Sequence, residues 1–110
     1  MQNSNTTYNQ KETFYHITGY FDAETVAVLE DDLANLIEKE TGRLILDLST
    51  VDFIDSSGIG SIVFLFKRLR VQNRELVLKG VHGQPARLLK SLKVDQAIHT
   101  EFSEDTEALQ

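Results

Sequence analysis

A helical apolar pattern between two strand-like runs constrains the fold of this chain more than any other feature. Residues 23–39 carry apolar side chains at helical spacing, at Val26, Leu29, Leu33, Leu36 and Ile37. Asp22 stands before this pattern as a good N-cap residue. A β-branched and aromatic run precedes it at 13–18, and an apolar run follows it at 44–48. A strand, a helix and a strand at this spacing predict a parallel crossover unit, which places the chain in the α/β class.

The flanking sequence predicts further elements of the same kind. A second helix is predicted at 56–71, with a core stripe of Ile59, Ile62, Val63, Phe66 and Leu69. A strand is predicted at 75–80, then a helix that starts at Pro85 and reaches Leu92, then a short strand at 97–102. We therefore expect a mixed, largely parallel sheet with the helices mostly packed on one side.

Glycines and the chain ends complete the prediction. We expect Gly19 to break the first strand and Gly42 to end the first helix. Residues 1–5 are expected to be a loose arm and 6–10 an edge strand. A last short helix is expected after Ser103, and it would include Ala108 and Leu109.

Composition excludes several classes of function. The 110 residues, 1–110, suit one domain, and the absence of cysteine excludes disulfides and thiolate metal sites. A net charge of −6 opposes nucleic acid as a partner, because neutralising phosphates needs a basic face. The basic cluster at 67–70 is expected to be solvated charge at a helix end. No apolar run approaches a membrane span, so we expect no membrane association and a cytoplasmic location.

The segment Asp55-Ser56-Ser57-Gly58-Ile59-Gly60 stands where an apolar strand passes into the second helix. Its two serines fall at a helix N-terminus, where free backbone N–H groups and the helix dipole favour an anion such as a phosphate. No histidine or lysine adjoins them in sequence, so neither is an obvious nucleophile. The segment is better suited to being modified than to catalysis, although Ser56 and Asp55 also suit plain capping roles and Ser57 suits support of the backbone turn.

Three segments of this chain resemble the STAS domain, the family of anti-sigma factor antagonists. They are 19–22 (Gly-Tyr-Phe-Asp), 44–48 (Leu-Ile-Leu-Asp-Leu) and 51–60, which contains Asp-Ser-Ser-Gly. In that family the first serine of the motif is phosphorylated, which implies Ser56 here, with Ser57 as second choice. The acidic positions of the family near this site match Asp22 and Asp55, and the motif glycine matches Gly58. More narrowly, the chain resembles the single-domain STAS regulators of biofilm polysaccharide loci.

The resemblance implies a protein-binding switch with no catalysis of its own. The unphosphorylated form would bind its partner, and phosphorylation would end that binding. The implied partners are a serine kinase of the anti-sigma (GHKL-like) type and a PP2C-like phosphatase, separate or in one bifunctional regulator. The output would be sigma-factor release or control of biofilm formation.

Two alternatives remain open beside this interpretation. One is a STAS module that binds a small ligand or a nucleotide. The other is a hydrolase that uses Ser56, which the absence of a G-x-S-x-G elbow argues against. No cofactor is expected, because the chain has neither a phosphate-binding P-loop nor a dinucleotide fingerprint. No metal is expected either, since His16, His82 and His99 lack ligand spacing.

Gly60 and Phe64 are the candidate partner-binding residues. Gly60 leaves a low spot one turn beyond Ser56, and Phe64 lies off the predicted core stripe. The alternative is that Gly60 packs closely on the sheet and Phe64 belongs to the core. Asp47 interrupts an apolar strand, and the sequence does not show where its side chain lies.

Overall fold

The computed structural model describes residues 11–103 as a four-stranded sheet with three connecting helices. The strands lie side by side in chain order, and the elements are β1 (Glu12–Phe21), α1 (Ala23–Glu38), β2 (Arg43–Ile54), α2 (Ser56–Val71), β3 (Leu76–Val81), α3 (Gly83–Ser91) and β4 (His99–Phe102). A short 3₁₀ turn at Val94–Gln96 precedes β4. The predicted α/β architecture is confirmed.

Every strand pair in the described part of the chain is parallel. Because the strand order never reverses, right-handed crossovers bring all three helices to the same face of the sheet. The arm expected at 1–5, the edge strand at 6–10 and the helix with Ala108 and Leu109 lie outside the described residues.

One hydrophobic core fills the space between the sheet and the helices. Alternate residues of β2, Leu44, Leu46 and Leu48, point into it and are fully buried. The helices contribute Leu33, Leu36, Ile37, Ile62, Leu65, Leu69, Ala86 and Leu89. The core thus contacts all three helices, and the opposite face of the sheet presents exposed side chains such as Phe14 and Tyr20.

Gly19 does not break the first strand, which continues to Phe21. Its φ of +77° falls where glycine is favoured, and the register with β2 shifts between Gly19 and Tyr20. The glycine accommodates this irregularity in the ladder, and the pairing resumes beyond it with Tyr20 opposite Phe53. The prediction that the first strand ends at Gly19 was therefore wrong.

Two irregularities in the pairing of β1 with β2 change which β2 residues reach the core. Between paired positions β2 uses one more residue than β1, once after Asp47 and once after Val51. Each extra residue shifts the alternation of inward and outward side chains. Leu48, Val51 and Ile54 are consequently all fully buried although they are three residues apart.

Three local predictions about the helices need correction. In α2 the core residue between Ile62 and Leu69 is Leu65, whereas the predicted Val63 is only half-buried. The helix α3 begins at Gly83, so Pro85 is its third residue and not its first; a proline is still tolerated there because the first turn leaves its N–H groups unused. The helix α1 ends at Glu38 with Lys39 as its cap, so Gly42 does not terminate it.

Candidate functional site

The Asp-Ser-Ser-Gly segment lies at the carboxyl end of β2, where α2 begins. Ser56 is the first residue of α2 and is exposed, whereas Ser57 is half-buried. The carboxyl ends of parallel strands are where sites collect in open α/β sheets. Of the two hydroxyls, that of Ser56 is the more accessible to another protein.

Asp55 caps α2 through its side chain. Its Oδ1 accepts hydrogen bonds from the N–H groups of Ser57 (2.8 Å) and Gly58 (3.1 Å). The expectation that these donors are free for a phosphate was therefore wrong. A negative charge already occupies the positive end of the helix dipole, and a phosphate on Ser56 would stand beside it.

Asp22 caps α1 in the same manner, with the Thr25 N–H donating to its Oδ1 at 3.1 Å. The two capped helix starts are neighbours, because the N–H of Asp55 donates to the carbonyl of Phe21 at 3.4 Å. The two carboxylate-capped helix starts thus lie side by side, and Ser56 is the first residue of one of them. The capping roles predicted for Asp22 and Asp55 are confirmed.

Gly58 allows α2 to start against the end of β1. A Cβ atom at this position would collide with the carbonyl oxygen of Phe21 and lie 2.9 Å from a methyl group of Ile54. Only a glycine lets the first turn approach this closely. The lack of a side chain at Gly58 therefore lets the first turn of α2, which begins at Ser56, lie against Phe21 at the end of β1.

Gln84 was missed by the sequence analysis as part of the site. Its Nε2 donates to the carbonyl of Ile54 (3.0 Å), and its Oε1 accepts from the Ile54 N–H (2.9 Å). One amide side chain thus extends the hydrogen-bond ladder to the last residue of β2, two positions before Ser56. His82 similarly bonds the carbonyl of Ser49 (2.8 Å). Nothing in the sequence links the start of α3 with Ile54, so no signal pointed to this contact.

Gly60 is not packed against the sheet, because no atom lies within 4 Å of a Cβ built on it. Phe64, one turn further, is 52% exposed and lies outside the buried core. Both positions are therefore accessible on the outer side of α2. The alternative in which Gly60 packs closely and Phe64 is core is wrong.

A groove of about 530 Å³ runs between α1 and α2. Its α2 wall consists of Ser57, Ser61, Phe64 and Arg68. The Arg68 guanidinium lies over the Phe64 ring, 5.4 Å from the ring centre. The groove begins beside the phosphorylation candidate, since Ser57 lines it.

Asp47 has a structural role that its sequence position did not reveal. Its Oδ1 accepts a hydrogen bond from the Ser49 N–H at 2.9 Å, at the first irregularity of β2. Hydrogen bonds from the Ser49 backbone and side chain lower the pKa of Asp47. The carboxylate stabilises the local turn of the backbone and is not part of the serine site.

Within residues 11–103, no three acidic, histidine or cysteine side chains form a group that could hold a metal ion. His16 bonds the Thr50 hydroxyl (2.8 Å), and His99 faces Glu75 and Glu101. In the same range no helix has the length and apolar character needed to cross a membrane.

Comparison with known proteins assigns the family. The STAS domain model matches residues 3–107. The anti-sigma-B factor antagonist of Staphylococcus aureus is 27% identical over 99 residues, covering 88% of this chain and 92% of the relative. The structure of a candidate anti-sigma factor antagonist from Thermotoga maritima aligns with a TM-score of 0.76 at 19% identity, covering 89% of this chain and 84% of that one. The anti-sigma factor antagonist SpoIIAA in its unphosphorylated form aligns with a TM-score of 0.65 at 17% identity, covering 92% and 88%. The chain belongs to the STAS domain family, and within it the chain is similar to anti-sigma factor antagonists.

Proposed function

We propose that this protein is a non-enzymatic, phosphorylation-switched regulator that binds its protein partner only while Ser56 is unmodified. The observation that carries the proposal is the position of Ser56, exposed at the first residue of α2 within Asp-Ser-Ser-Gly. The similarity to anti-sigma-B factor antagonists supports the same role. The proposed partners are a serine kinase of the anti-sigma type, which also binds the unmodified form, and a phosphatase that restores it.

Local charge explains how a phosphate would end binding. Phosphorylation adds about −1.5 to −2 charge at neutral pH. The Asp55 carboxylate already occupies the N–H groups of Ser57 and Gly58, so these cannot solvate the phosphate. A partner that covers Ser56 would have to desolvate a phosphate beside carboxylates, which is strongly unfavourable. A loss of only about 2.8 kcal/mol weakens a complex about a hundredfold.

The exposed side of α2 is the proposed docking surface for this partner. Gly60 offers open space, and the half-exposed Phe64 is an aromatic of the kind that anchors interfaces. Gly60→Arg should block binding and Phe64→Ala should weaken it, and neither should lower the melting temperature. The downstream output that we propose is sigma-factor release or regulation of biofilm polysaccharide.

Incubation with the cognate kinase and ATP tests the switch. We expect one phosphate, located by mass spectrometry on Ser56, and binding that is retained by Ser56→Ala and weakened in the phosphoprotein. Ser57→Ala is the matched control, since it removes the neighbouring hydroxyl and should still be phosphorylated. Full modification of Ser56→Ala at another residue would contradict the assignment.

A small-ligand STAS module is the second candidate, and the groove between α1 and α2 is the observation that favours it. Its volume of about 530 Å³ falls within the usual range of ligand sites. Saturable binding of a nucleotide by the purified protein, lost on filling the groove, would support this alternative. Binding that survives a filled groove would count against it.

A further inference from the structure

The groove between α1 and α2 has an elongated shape. Its α1 wall reaches from Ala23 to Glu38, which at 1.5 Å per residue is about 22 Å. Its α2 wall reaches from Ser57 to Arg68, about 16 Å. A volume of about 530 Å³ spread over this length suits a rod-shaped occupant better than a compact one.

Small side chains keep the groove open along its length. The α1 wall contains three exposed alanines, Ala23, Ala27 and Ala34, and the α2 wall contains Ser57 and Ser61. The floor is apolar and consists largely of the buried side chains of Leu33 and Ile37. Small residues at helical spacing allow a further helix to pack closely in such a groove, as ridges pack into grooves between helices.

The charge of α1 selects the kind of helix that fits. Residues 23–38 include five acidic side chains and no lysine, arginine or histidine. Glu30 and Glu38 line the groove, and neither forms an ion pair with any residue in the range 11–103. The groove lining also contains one cation, Arg68, on the α2 wall over the Phe64 ring. The two glutamates outnumber it, so an occupant with basic side chains along the α1 wall is favoured.

We propose that this groove receives an amphipathic helix of a partner protein. An apolar stripe of that helix lies on Leu33, Ile37 and Phe64, and its lysine or arginine flank faces Glu30 and Glu38. The inference deepens the proposed function, on which it rests for the existence of a protein partner. It adds the type of element that the partner inserts, and it extends the docking surface from α2 onto α1.

A designed peptide of about four helical turns provides a direct probe. It carries leucine along one stripe and lysine on both flanks, and a second peptide has glutamate in place of lysine. We expect the leucine–lysine peptide to bind the full chain in fluorescence anisotropy. Ala27→Trp, which fills the groove, should weaken that binding at least about tenfold.

Val28→Trp is the matched control, because Val28 is the next residue of α1, is 76% exposed and lies outside the groove. It should leave the affinity unchanged. If Ala27→Trp lowers the unfolding midpoint, Ser61→Trp is used as the test variant instead, because it fills the groove from the α2 wall. Glu30→Lys combined with Glu38→Lys should weaken the leucine–lysine peptide and strengthen the leucine–glutamate peptide.

Equal loss of affinity in Ala27→Trp and Val28→Trp would overturn the proposal, because it would show binding by overall charge. Equal binding of the two peptides to the unmodified chain would overturn the proposal as well. Binding of dodecanoate in the groove by a protein that binds neither peptide would also overturn it. The assay contains neither kinase nor ATP. A negative result in the peptide assay would therefore not bear on the phosphorylation of Ser56. Likewise, a failure of the kinase to phosphorylate Ser56 would not bear on peptide binding in the groove.

Discussion

Two glycines in α2 differ sharply although only one residue separates them. Gly60 has open space around the position of a Cβ atom, whereas a Cβ at Gly58 would collide with the Phe21 carbonyl. We expect Gly60→Ala to raise the free energy of unfolding by about 1 kcal/mol, because alanine is the better helix former. Gly58→Ala should lower it by about 1–3 kcal/mol through steric strain. Urea denaturation of the two variants beside the wild type measures both effects.

Each variant serves as the control for the other, because both make the same substitution in the first two turns of one helix. A loss of stability in Gly60→Ala would show that its surroundings are not open. The sequence alone could not separate the two glycines. Their difference depends on β1, which lies more than thirty residues earlier in the chain.

The side chain of Gln84 is predicted to keep the end of β2 in place. Gln84→Ala would leave both the N–H and the carbonyl of Ile54 without their partner. We expect a loss of about 1–3 kcal/mol in the free energy of unfolding and faster hydrogen exchange at the Ile54 amide. Gln96→Ala, at an exposed glutamine, should change neither. An Ile54 amide that exchanges as slowly in Gln84→Ala as in the wild type would contradict the prediction.

At the scale of elements, the strands and helices were predictable and their irregularities were not. The apolar spacing in α1 and the cap at Asp22 follow local rules, and both were predicted correctly. The strand β2 departs from the period of two, because its extra residues bring Leu48, Val51 and Ile54 to the same face. Such irregularities depend on the pairing with β1, which the sequence of β2 does not encode by itself.

The hydrogen bond between Tyr15 of β1 and Asp32 of α1 is predicted to be lost at alkaline pH. The Tyr15 hydroxyl donates to Asp32 Oδ2 at 2.7 Å. Burial, followed by the hydrogen bond and the charge of Asp32, raises the pKa of Tyr15 from 10.0 to about 12. A tyrosine pKa that is higher in the folded state adds stability that is complete below pH 10 and is lost as the pH rises towards 12.

We therefore expect Tyr15→Phe to lose less unfolding free energy than the wild type between pH 10 and pH 12. Tyr20→Phe is the control, since Tyr20 is 60% exposed and its hydroxyl has no hydrogen-bond partner among residues 11–103. It should follow the wild type across this range. Urea denaturation at several pH values measures the difference, and parallel curves for the wild type and Tyr15→Phe would exclude this role of Tyr15.

Across the whole molecule, basic side chains are absent from two long segments of the chain. The segments 17–38 and 44–66 contain six and three acidic residues and no lysine, arginine or histidine. They provide the helix starts beside Ser56. Seven of the eleven lysines and arginines lie near the strand starts and helix ends at the opposite end of the sheet, and the other four, Lys79, Arg87, Lys90 and Lys93, belong to β3, to α3 and to the turn after it. A phosphate on Ser56 would therefore have no basic side chain in these segments to pair with.

This distribution predicts a switch that operates without a change of fold. A phosphate orders or melts a segment when it gains arginine partners or disrupts packing. Ser56 is exposed and precedes the first buried residue of α2, so modification should leave the core intact. The phosphoprotein, Ser56→Asp and Ser56→Ala should all unfold within about 1–2 kcal/mol of the wild type, the range of a changed helix start. Hydrogen exchange along α2 should be unchanged beyond its first turn, while partner binding is lost only in the phosphoprotein and weakened in Ser56→Asp. Loss of protection along the whole of α2 on phosphorylation would instead indicate an order–disorder switch, in which the partner recognises a folded helix and not a local charge.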